Sequence, residues 1–358
     1  MTHPTNRLVC AVMAGGSGTR FWPMSRRERP KQLLKLMGDQ TLLADTLARV
    51  APICPPERSV VVTAARLVDA VRADLPALPP HHVIGEPTPR NTAPCFELAA
   101  IVSQKIADDA IVALLPADHH VGQPEAFRAA LSLACEEADR GHIVTLGVVP
   151  TRPETGYGYI ELGDATEAGA HVVTRFVEKP ALETALKYLA GGRHLWNAGV
   201  FVVRADVARA AVANHLPALS ATLEPLSDPD MALSSPAFAE QLRARFADCP
   251  SVSVDYGVME HERDLRCVAL DAAWSDVGTW QSLLDHRAEG ESNYSRGDVL
   301  ALDCDDCVLV GDGVKVAAIG LKEVAVVATG DAVLAMPVDR SQDVRAVVKA
   351  LRDQQDLL

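Results

Sequence analysis

A glycine-rich turn followed by a cluster of cations lies near the amino terminus of this chain of 358 residues. The turn carries Gly15, Gly16 and Gly18 directly after an apolar run at residues 8–13. Glycine permits backbone conformations that point several N–H groups at one anion. From position 20 to position 31, five basic residues stand against one acidic residue. This combination predicts a site for phosphate groups, such as those of a nucleoside triphosphate whose β and γ phosphates leave as pyrophosphate.

The chain as a whole is acidic, with a formal net charge of −13 at pH 7. Such a surface repels nucleic-acid backbones and anionic lipids, so we expect a small phosphorylated metabolite as the partner and neither nucleic acid nor a membrane. The amino terminus shows no apolar run of a signal peptide, and no stretch approaches the ~20 apolar residues of a membrane helix. We therefore expect a cytoplasmic protein.

The eight cysteines do not indicate a disulfide scaffold or a zinc site. Most of them stand singly among apolar neighbours, as reduced core cysteines do. Cys304 and Cys307 form a C-x-x-C pair, but a zinc site needs a second pair at suitable spacing. We expect this pair to lie in a turn between two strands.

The elements that must position the glycine turn alternate between short β-branched runs and longer helical patterns. Strands are predicted over residues 8–13, 60–63, 111–115 and 143–148, and helices over residues 92–104 and 125–140. This order is typical of an α/β fold with a doubly wound, mostly parallel sheet. Ligands of such sheets gather beyond the carboxyl ends of the strands, where the glycine turn and residues 116–118 both emerge.

The pattern continues to residue 290 and then changes. Further strands are predicted near residues 157–161, 172–177 and 201–203, with a helix-rich insert that ends near residue 246. Short apolar segments broken by Gly and Asp follow, and they predict strands of a small β module at residues 299–302, 308–310, 314–319, 324–328 and 333–336. Ser341 is the predicted N-cap of a terminal helix over residues 344–351. We expect two domains, residues 1–290 and residues 291–358.

The glycine turn by itself does not identify a reaction. A dinucleotide-binding fingerprint would need a third glycine where Phe21 stands, and a P-loop would need a Gly-Lys-Ser/Thr sequence that is absent. The first of these differences argues against a dehydrogenase that uses the turn for a dinucleotide.

Ten motifs taken together resemble those of the sugar-phosphate nucleotidyltransferases, and within them those of the mannose-1-phosphate guanylyltransferases. In family order they are GGSGTR with WP at 15–23, PKQ at 30–32, GEP at 85–87, RNTAP at 90–94, PADH at 116–119, TGYGYI at 155–160, FVEKP at 176–180, WN at 196–197, SVDY with ME at 253–260, and WSDVGTW at 274–280. The resemblance implies a Rossmann-like fold and transfer of a guanylyl group from GTP to α-D-mannose 1-phosphate, giving GDP-mannose and pyrophosphate. Many bacterial relatives append a cupin domain with phosphomannose isomerase activity, and we expect that activity to be missing here.

The resemblance also implies which residues do the chemistry. It assigns Arg20 and Lys31 to the leaving phosphates, and Lys179 to the phosphate of the sugar. It assigns Asp118 and Asp276 to a divalent ion, Mg²⁺ or Mn²⁺, for which two carboxylates with phosphate oxygens and water are the usual ligands. It further implies that backbone N–H groups of residues 15–19 contact the nucleotide, and we therefore expect Gly15, Gly16, Gly18 and Thr19 to be nucleotide-binding residues. Glu86 and Asn91 are two further candidates, which we expect to contact the base.

Sugar and base contacts complete the predicted site. The resemblance implies that Glu178 and Asn197 bind sugar hydroxyls and that the backbone at Gly158, which has no side chain, approaches the sugar closely. The Glu86 carboxylate can accept both N1–H and N2–H₂ of guanine, whereas adenine presents an acceptor at N1. We therefore expect Glu86 to select GTP, with Asn91 nearby.

Other functions stay open at this point. The chain could transfer another nucleotide or act on another hexose 1-phosphate. It could also be a catalytically silent nucleotide-sugar sensor, although such a sensor would lose at least one of four charged residues that are all present, Arg20, Asp118, Lys179 and Asp276. We also expect a homodimer, because the apolar strands of the β module would otherwise leave open edges.

Overall fold

The computed structural model describes residues 3–16 and 18–358, and these residues form two compact units. The first, which we call the sheet unit, contains the described residues of Met1–Gly15 together with Thr46–Ala117 and Val121–Trp274. The second unit contains Gly16–Asp45, Asp118–His120 and Ser275–Leu358. The cationic segment after the glycine turn therefore belongs to the same unit as the carboxyl-terminal residues.

The strands and helices are named here in chain order. The strands are β1 (Leu8–Ala14), β2 (Ser59–Ala64), β3 (Val83–Glu86), β4 (Ile111–Pro116), β5 (His120–Val121), β6 (Ile143–Val148), β7 (Tyr159–Ala165), β8 (His171–Val177), β9 (His194–Arg204), β10 (Leu265–Ala269), β11 (Trp274–Ser275), β12 (Tyr294–Leu302), β13 (Val308–Ile319), β14 (Val324–Ala328) and β15 (Val333–Pro337). The helices are α1 (Leu42–Val50), α2 (Val68–Asp74), α3 (Thr92–Ile106), α4 (Pro124–Asp139), α5 (Leu182–Gly191), α6 (Ala205–His215), α7 (Pro217–Leu223), α8 (Pro236–Phe246) and α9 (Val344–Ala350). No helix in these described parts of the chain combines the length and the apolarity that crossing a bilayer requires.

A nine-stranded sheet forms the centre of the sheet unit, in the order β3-β2-β1-β4-β9-β6-β10-β8-β7. The predicted α/β class is confirmed, and β3, β2, β1 and β4 are parallel as the alternating pattern indicates. Strand β9 lies between β4 and β6 and is antiparallel to both. Strands β8 and β7 are antiparallel as well, so parallel pairing dominates only the first half of the sheet.

Helix α3 crosses the middle of the core in the sheet unit. Every residue from position 93 to position 103 is buried, which explains why this helix lacks the polar face of a surface helix. The strands β1, β2 and β4 are also buried along nearly their whole length, as apolar runs without alternation predict.

A four-stranded sheet in the second unit has the order β12-β13-β14-β15. Strands β12, β13 and β14 are parallel neighbours, yet only five and four residues connect them. A helical crossover cannot fit in such short connections, so these strands are successive coils of a β-helix. Strand β15 returns antiparallel to β14. Cys304 and Cys307 lie in the connection between β12 and β13 as free thiols, as the turn prediction requires.

Two details of this unit differ from the predictions. The two strands predicted at residues 308–310 and 314–319 form one strand, β13. Ser341 is not the N-cap of helix α9, so that prediction was wrong. The residue is buried in a 3₁₀ turn, Val338–Asp343, where its hydroxyl donates to the Val338 carbonyl at 2.6 Å and accepts from the Gln281 N–H at 3.1 Å. The tertiary contact with Gln281 uses the hydroxyl that a cap would need.

Candidate active site

The carboxyl ends of β1 to β4 form one edge of the sheet unit. The register pairs Met13 with Pro116, and the Ala117 N–H donates to the Met13 carbonyl at 3.0 Å. On the other side of β1, the register of β2 and β3 pairs Ala64 with Glu86. Because these four strands are parallel, the loop after each one leaves from this same edge.

Glu86 is a buried carboxylate at this edge, with 9% of its surface exposed. Its Oε1 atom has no hydrogen-bond partner among the described residues. Burial raises the pKa of the Glu86 carboxyl to about 7. A side chain added at Gly15 would place its Cβ 3.4 Å from Glu86 Oε2. An acceptor that is buried and unpaired in this way suits a ligand that brings its own donors.

Lys31, Asp118 and Asp276 come together in the second unit. The buried Lys31 ammonium donates to Asp118 Oδ2 and to the Asp276 carbonyl, each at 2.7 Å. Burial raises the pKa of the Asp118 carboxyl, but the charges of Lys31 and His119 and the hydrogen bond from Lys31 together outweigh burial and hold that pKa below its usual value. One cation therefore bridges the two segments that carry the predicted metal ligands.

Gly18 makes room for the stem of Lys31. The φ angle of Gly18 is +58°, and a Cβ at this position would lie 2.1 Å from Lys31 Cβ and 2.8 Å from the Lys31 nitrogen. No residue with a side chain fits there without moving Lys31. This glycine thus has a packing role in addition to the backbone contact predicted for it. The Ser17 N–H, which belongs to the same predicted set, lies outside the described residues.

The segment around Asp276 is held by packing. The φ angle of Val277 is +44°, which is rare for a β-branched residue. Val277 is fully buried in an apolar cluster with Phe21 and Trp280, whose rings lie 4.9 Å apart. A Cβ at Gly278 would lie 2.8 Å from Asp276 Oδ2, so glycine leaves space for that carboxylate. Strained backbone that the surrounding core maintains is common at functional sites.

A cavity in the second unit connects these groups. Its lining includes Gly18, Thr19, Arg20, Phe21, Lys31, Asp118, His119, Asp276, Gly278 and Arg345. Arg20 donates to the Gly278 carbonyl at 3.5 Å, while its buried Nε atom has no partner among the described residues. Arg345 on α9 adds a third cation that the sequence analysis missed. Nothing near Arg345 in the sequence signals a site, because only the fold of the second unit brings α9 to the cavity.

The donor set of this cavity fits a divalent cation that is held jointly with substrate phosphates. Asp118 and Asp276 supply carboxylate oxygens, the ligands that Mg²⁺ and Mn²⁺ prefer. The described residues contain no group of three or more His, Cys, Asp or Glu side chains placed to hold a metal ion by themselves. Mg²⁺ commonly takes one or two carboxylates and completes its shell with phosphates and water.

A second polar cluster lies in the sheet unit, where β7, β8 and β9 meet. Lys179 donates to Glu178 Oε1 at 2.5 Å, and the Asn197 N–H donates to the Gly158 carbonyl at 2.8 Å. A Cβ at Gly158 would lie 2.6 Å from Glu178 Oε2, so only glycine leaves this carboxylate in place. Burial lowers the pKa of Lys179, but the hydrogen bond to Glu178 and the charge of that carboxylate outweigh it, and the pKa is raised. These are the four residues predicted to bind the sugar phosphate.

Asn91 has a structural task in the sheet unit. It is the N-cap of α3, and its side chain accepts a hydrogen bond from the Thr92 N–H at 2.9 Å. Its φ angle of +65° is one that Asn tolerates better than most residues. The contact with the nucleotide predicted for Asn91 stays a prediction.

Comparison with known proteins identifies the family of the chain. The nucleotidyl transferase family model matches residues 10–293, and the model of the MannoseP isomerase/GMP-like beta-helix domain matches residues 297–351. The chain is 40% identical over 343 residues to the xanthan biosynthesis protein XanB of Xanthomonas campestris, covering 95% of this chain and 72% of that protein. It is 39% identical over 358 residues to a mannose-1-phosphate guanylyltransferase of Escherichia coli, covering 97% of this chain and 74% of the relative.

A solved structure extends the similarity to three dimensions. The crystal structure described as mannose-1-phosphate geranyltransferase from Thermus thermophilus superposes with a TM-score of 0.86 at 37% identity. The match covers 96% of this chain and 99% of the other. The resemblance inferred from the motifs is thereby confirmed. This chain belongs to the nucleotidyl transferase family and is an enzyme of that class, with a carboxyl-terminal domain of the MannoseP isomerase/GMP-like beta-helix type.

Proposed function

We propose that the protein transfers the guanylyl group of GTP to α-D-mannose 1-phosphate and releases GDP-mannose and pyrophosphate. The observation that carries this proposal is the cavity in which Arg20 and Lys31 stand beside Asp118 and Asp276. Its mixture of cations and carboxylates suits a polyphosphate that arrives with a divalent ion. The names of the relatives from Escherichia coli and Salmonella typhimurium support the choice of sugar and base.

The chemical task is mainly one of charge. In the proposed reaction an oxygen of the sugar phosphate bonds to the α phosphorus of GTP, and the bond from that phosphorus to the pyrophosphate oxygen breaks. Two anions must meet in line, so the protein has to neutralise and position them. Arg20 and Lys31 would hold the leaving phosphates together with backbone N–H groups of Gly15, Gly16, Gly18 and Thr19. No side chain has to act as a nucleophile.

Asp118 and Asp276 are the residues that would hold the divalent ion, Mg²⁺ or Mn²⁺. When bound, such an ion supplies positive charge to the phosphate oxygens. The Lys31 ammonium donates to Asp118 Oδ2 and to the Asp276 carbonyl, each at 2.7 Å, so the protein keeps a positive charge beside these two residues even without the ion.

Base selection would rest on Glu86. Its buried Oε1 atom has no partner among the described residues, and guanine offers two adjacent donors to a carboxylate. With adenine bound, the Glu86 carboxylate would face the N1 acceptor of the base and make no hydrogen bond to it. An unpaired acceptor is costly in a buried site, so Glu86 would favour GTP strongly over ATP. Asn91, the N-cap of α3, would be a second side chain that contacts the base.

The sugar phosphate would bind at the cluster in the sheet unit. The Lys179 ammonium would contact the phosphate, while Glu178 and Asn197 would bind hydroxyl groups. Gly158 would allow the sugar to approach the backbone, since a side chain at this position would collide with Glu178.

One assay separates this proposal from its alternatives. Purified protein is supplied with Mg²⁺, mannose 1-phosphate and, in turn, GTP, ATP, UTP and dTTP, and pyrophosphate release is followed. We expect release mainly with GTP. Release with UTP or dTTP alone would identify a nucleotidyltransferase of other specificity, and nucleotide binding without any release would identify a sensor.

A further inference from the structure

Asp255 lies against the cluster of Gly158, Glu178, Lys179 and Asn197 that is proposed to bind the sugar phosphate. It opens the π-helical turn Asp255–Met259 in the sheet unit. Its Oδ1 atom accepts a hydrogen bond of 3.0 Å from Nδ2 of Asn197. Asp255 is therefore the direct neighbour of a residue that is proposed to bind sugar hydroxyls.

The hydrogen bonds of Asn197 determine which way its amide points. Its Oδ1 atom accepts from the Thr145 hydroxyl at 2.9 Å and from the Gly199 N–H at 3.0 Å. An amide oxygen has two lone pairs, so both are used. One hydrogen of Nδ2 is donated to Asp255, and the second has no acceptor among the residues that the structure describes, so it is available to a ligand. Asn197 can thus act on a sugar as a donor.

Asp255 also faces the charged pair in the same cluster. Burial and the charge of Glu178 raise the pKa of the Asp255 carboxyl to about 7, against the opposing influence of Lys179. The neighbouring Tyr256 hydroxyl lies 3.5 Å from the Glu178 carbonyl, to which it donates. The turn therefore contacts the cluster at both Asn197 and Glu178.

The segment that carries Asp255 is fixed to the first turn of helix α3. The Val254 N–H donates to the Thr92 hydroxyl at 2.9 Å, and the Ala93 N–H donates to the Val252 carbonyl at 3.1 Å. Sites supported by rigid elements hold their geometry better than sites on free loops. Asp255 is well placed to orient another side chain.

We propose that Asp255 is a positioning residue of the sugar-phosphate site, which holds the Asn197 amide so that its remaining N–H donates to a hydroxyl of a hexose 1-phosphate. This inference rests on the proposed function, because it takes the cluster at Gly158 and Asn197 as the sugar site. Asp255 itself need not touch the sugar. Without it the Asn197 amide loses one of its three fixed partners.

The test compares Asp255→Ala with Asp255→Asn in the full chain. In the Ala variant we expect KM for mannose 1-phosphate to rise about tenfold, the factor that corresponds to roughly one charge-assisted hydrogen bond. We expect KM for GTP to stay within about twofold. Asn keeps an oxygen that can accept from Asn197, so Asp255→Asn should restore most of the affinity. Titration calorimetry with mannose 1-phosphate measures the same loss without turnover.

A double-mutant cycle distinguishes positioning of Asn197 by Asp255 from a general destabilisation of the site. If Asp255 acts through Asn197, then Asn197→Ala and the double variant with Asp255→Ala should show similar KM values for the sugar phosphate. Glu262→Gln is the matched control, because Glu262 lies farther along the same segment and contacts His215 instead. We expect it to leave both KM values unchanged.

Two results would overturn the inference. One is a KM for the sugar phosphate in Asp255→Ala that matches the wild type, and the other is fully additive effects of the two single substitutions. If the wild type itself used a different hexose 1-phosphate, the proposed substrate would be wrong, and the same cycle would be measured with the sugar that it does use.

Discussion

The ammonium group of Lys31 is held more firmly than most lysines. It is buried and makes two hydrogen bonds of 2.7 Å, whereas lysines generally stay in solvent on flexible stems. A cation that is fixed before the substrate arrives needs little reorganisation when charge develops on a leaving group. This residue is therefore the most direct point at which to test the proposed chemistry.

Lys31→Ala is expected to lower kcat for pyrophosphate release by about a hundredfold to a thousandfold, as loss of one pre-positioned charge contact does elsewhere. The exposed Lys35 of the same segment is the matched control, and Lys35→Ala should keep near wild-type activity. Equal rates for the two variants would show that Lys31 does not stabilise the leaving phosphates.

The raised pKa of Glu86 leads to a prediction about stability. Its carboxyl has a pKa of about 7 in the folded protein against an ordinary value of 4.5, so the folded state binds the extra proton more tightly. Stability is therefore lost as the pH rises from about 4.5 to 7, and Glu86→Gln removes this loss. Above pH 7 we expect the variant to gain up to about 3 kcal/mol in the free energy of unfolding.

Denaturant unfolding at pH 5 and pH 8 measures this difference, which should be large at pH 8 and small at pH 5. The same substitution should raise KM for GTP about tenfold and weaken the preference over ATP. A variant that is more stable yet equally selective for GTP would separate the burial of Glu86 from base recognition and contradict its proposed role.

At the scale of elements, the loop after β1 packs against the segment that carries Lys31, and the two are in contact at Gly18. The positive φ of Gly18 and the distance of 2.1 Å from a Cβ built there to Lys31 Cβ mean that the loop conformation and the position of Lys31 depend on each other. The register of β1 and β4 likewise places the ends of both strands at one sheet edge. The geometry of the loop and of the strands thus determines the backbone positions from which the side chains of the site extend.

Gly18→Ala should displace Lys31 and lower kcat nearly as much as loss of the lysine itself. A left-handed conformation costs an alanine roughly 1–2 kcal/mol, and the collision adds to this cost. Gly38→Ala is the control, because a Cβ at Gly38 meets nothing within 4 Å. Measurements of kcat and of the unfolding midpoint for both variants would test this coupling, which a fully active Gly18→Ala would exclude.

For the whole molecule, the partition into units does not follow chain order. Residues 16–45 and 118–120 pack with Ser275–Leu358, which is why Lys31, Asp118 and Asp276 share one unit. The predicted division at residue 290 stays a prediction about domains. Within the second unit, the coils of the β-helix end at β12, which among the described residues pairs on one side only, with β13.

We expect a homodimer through this edge. Leu302 and Ile319 are register neighbours on β12 and β13 and are 48% and 70% exposed, an apolar pair that a second copy could cover. Ile319→Lys should shift sedimentation at micromolar concentration toward the monomer. Val333→Lys, at a similarly exposed position on β15, should not shift it. Sedimentation of the wild type as a monomer would remove the expectation.

The sequence by itself determined the residue types, the local elements and the family. The glycine turn with its following cations, the apolar runs and the family motifs are each formed by residues that are close together in the chain. Such local patterns can be read from the sequence without knowing the tertiary structure. The predicted strands near β1, β2, β4 and β6 and the helices near α3 and α4 therefore lie within a few residues of the observed ones.

Only the tertiary structure decided the long-range neighbours. The insertion of β9 between β4 and β6, the arrival of Arg345 at the cavity, and the hydrogen bond between Asp255 and Asn197 all join residues far apart in the chain. Such contacts result from the packing of the whole chain, and they produce no periodic pattern in the local sequence from which they could be predicted. For the same reason the sequence pattern around Ser341 indicated a helix cap, whereas its hydroxyl binds Gln281 in the folded chain.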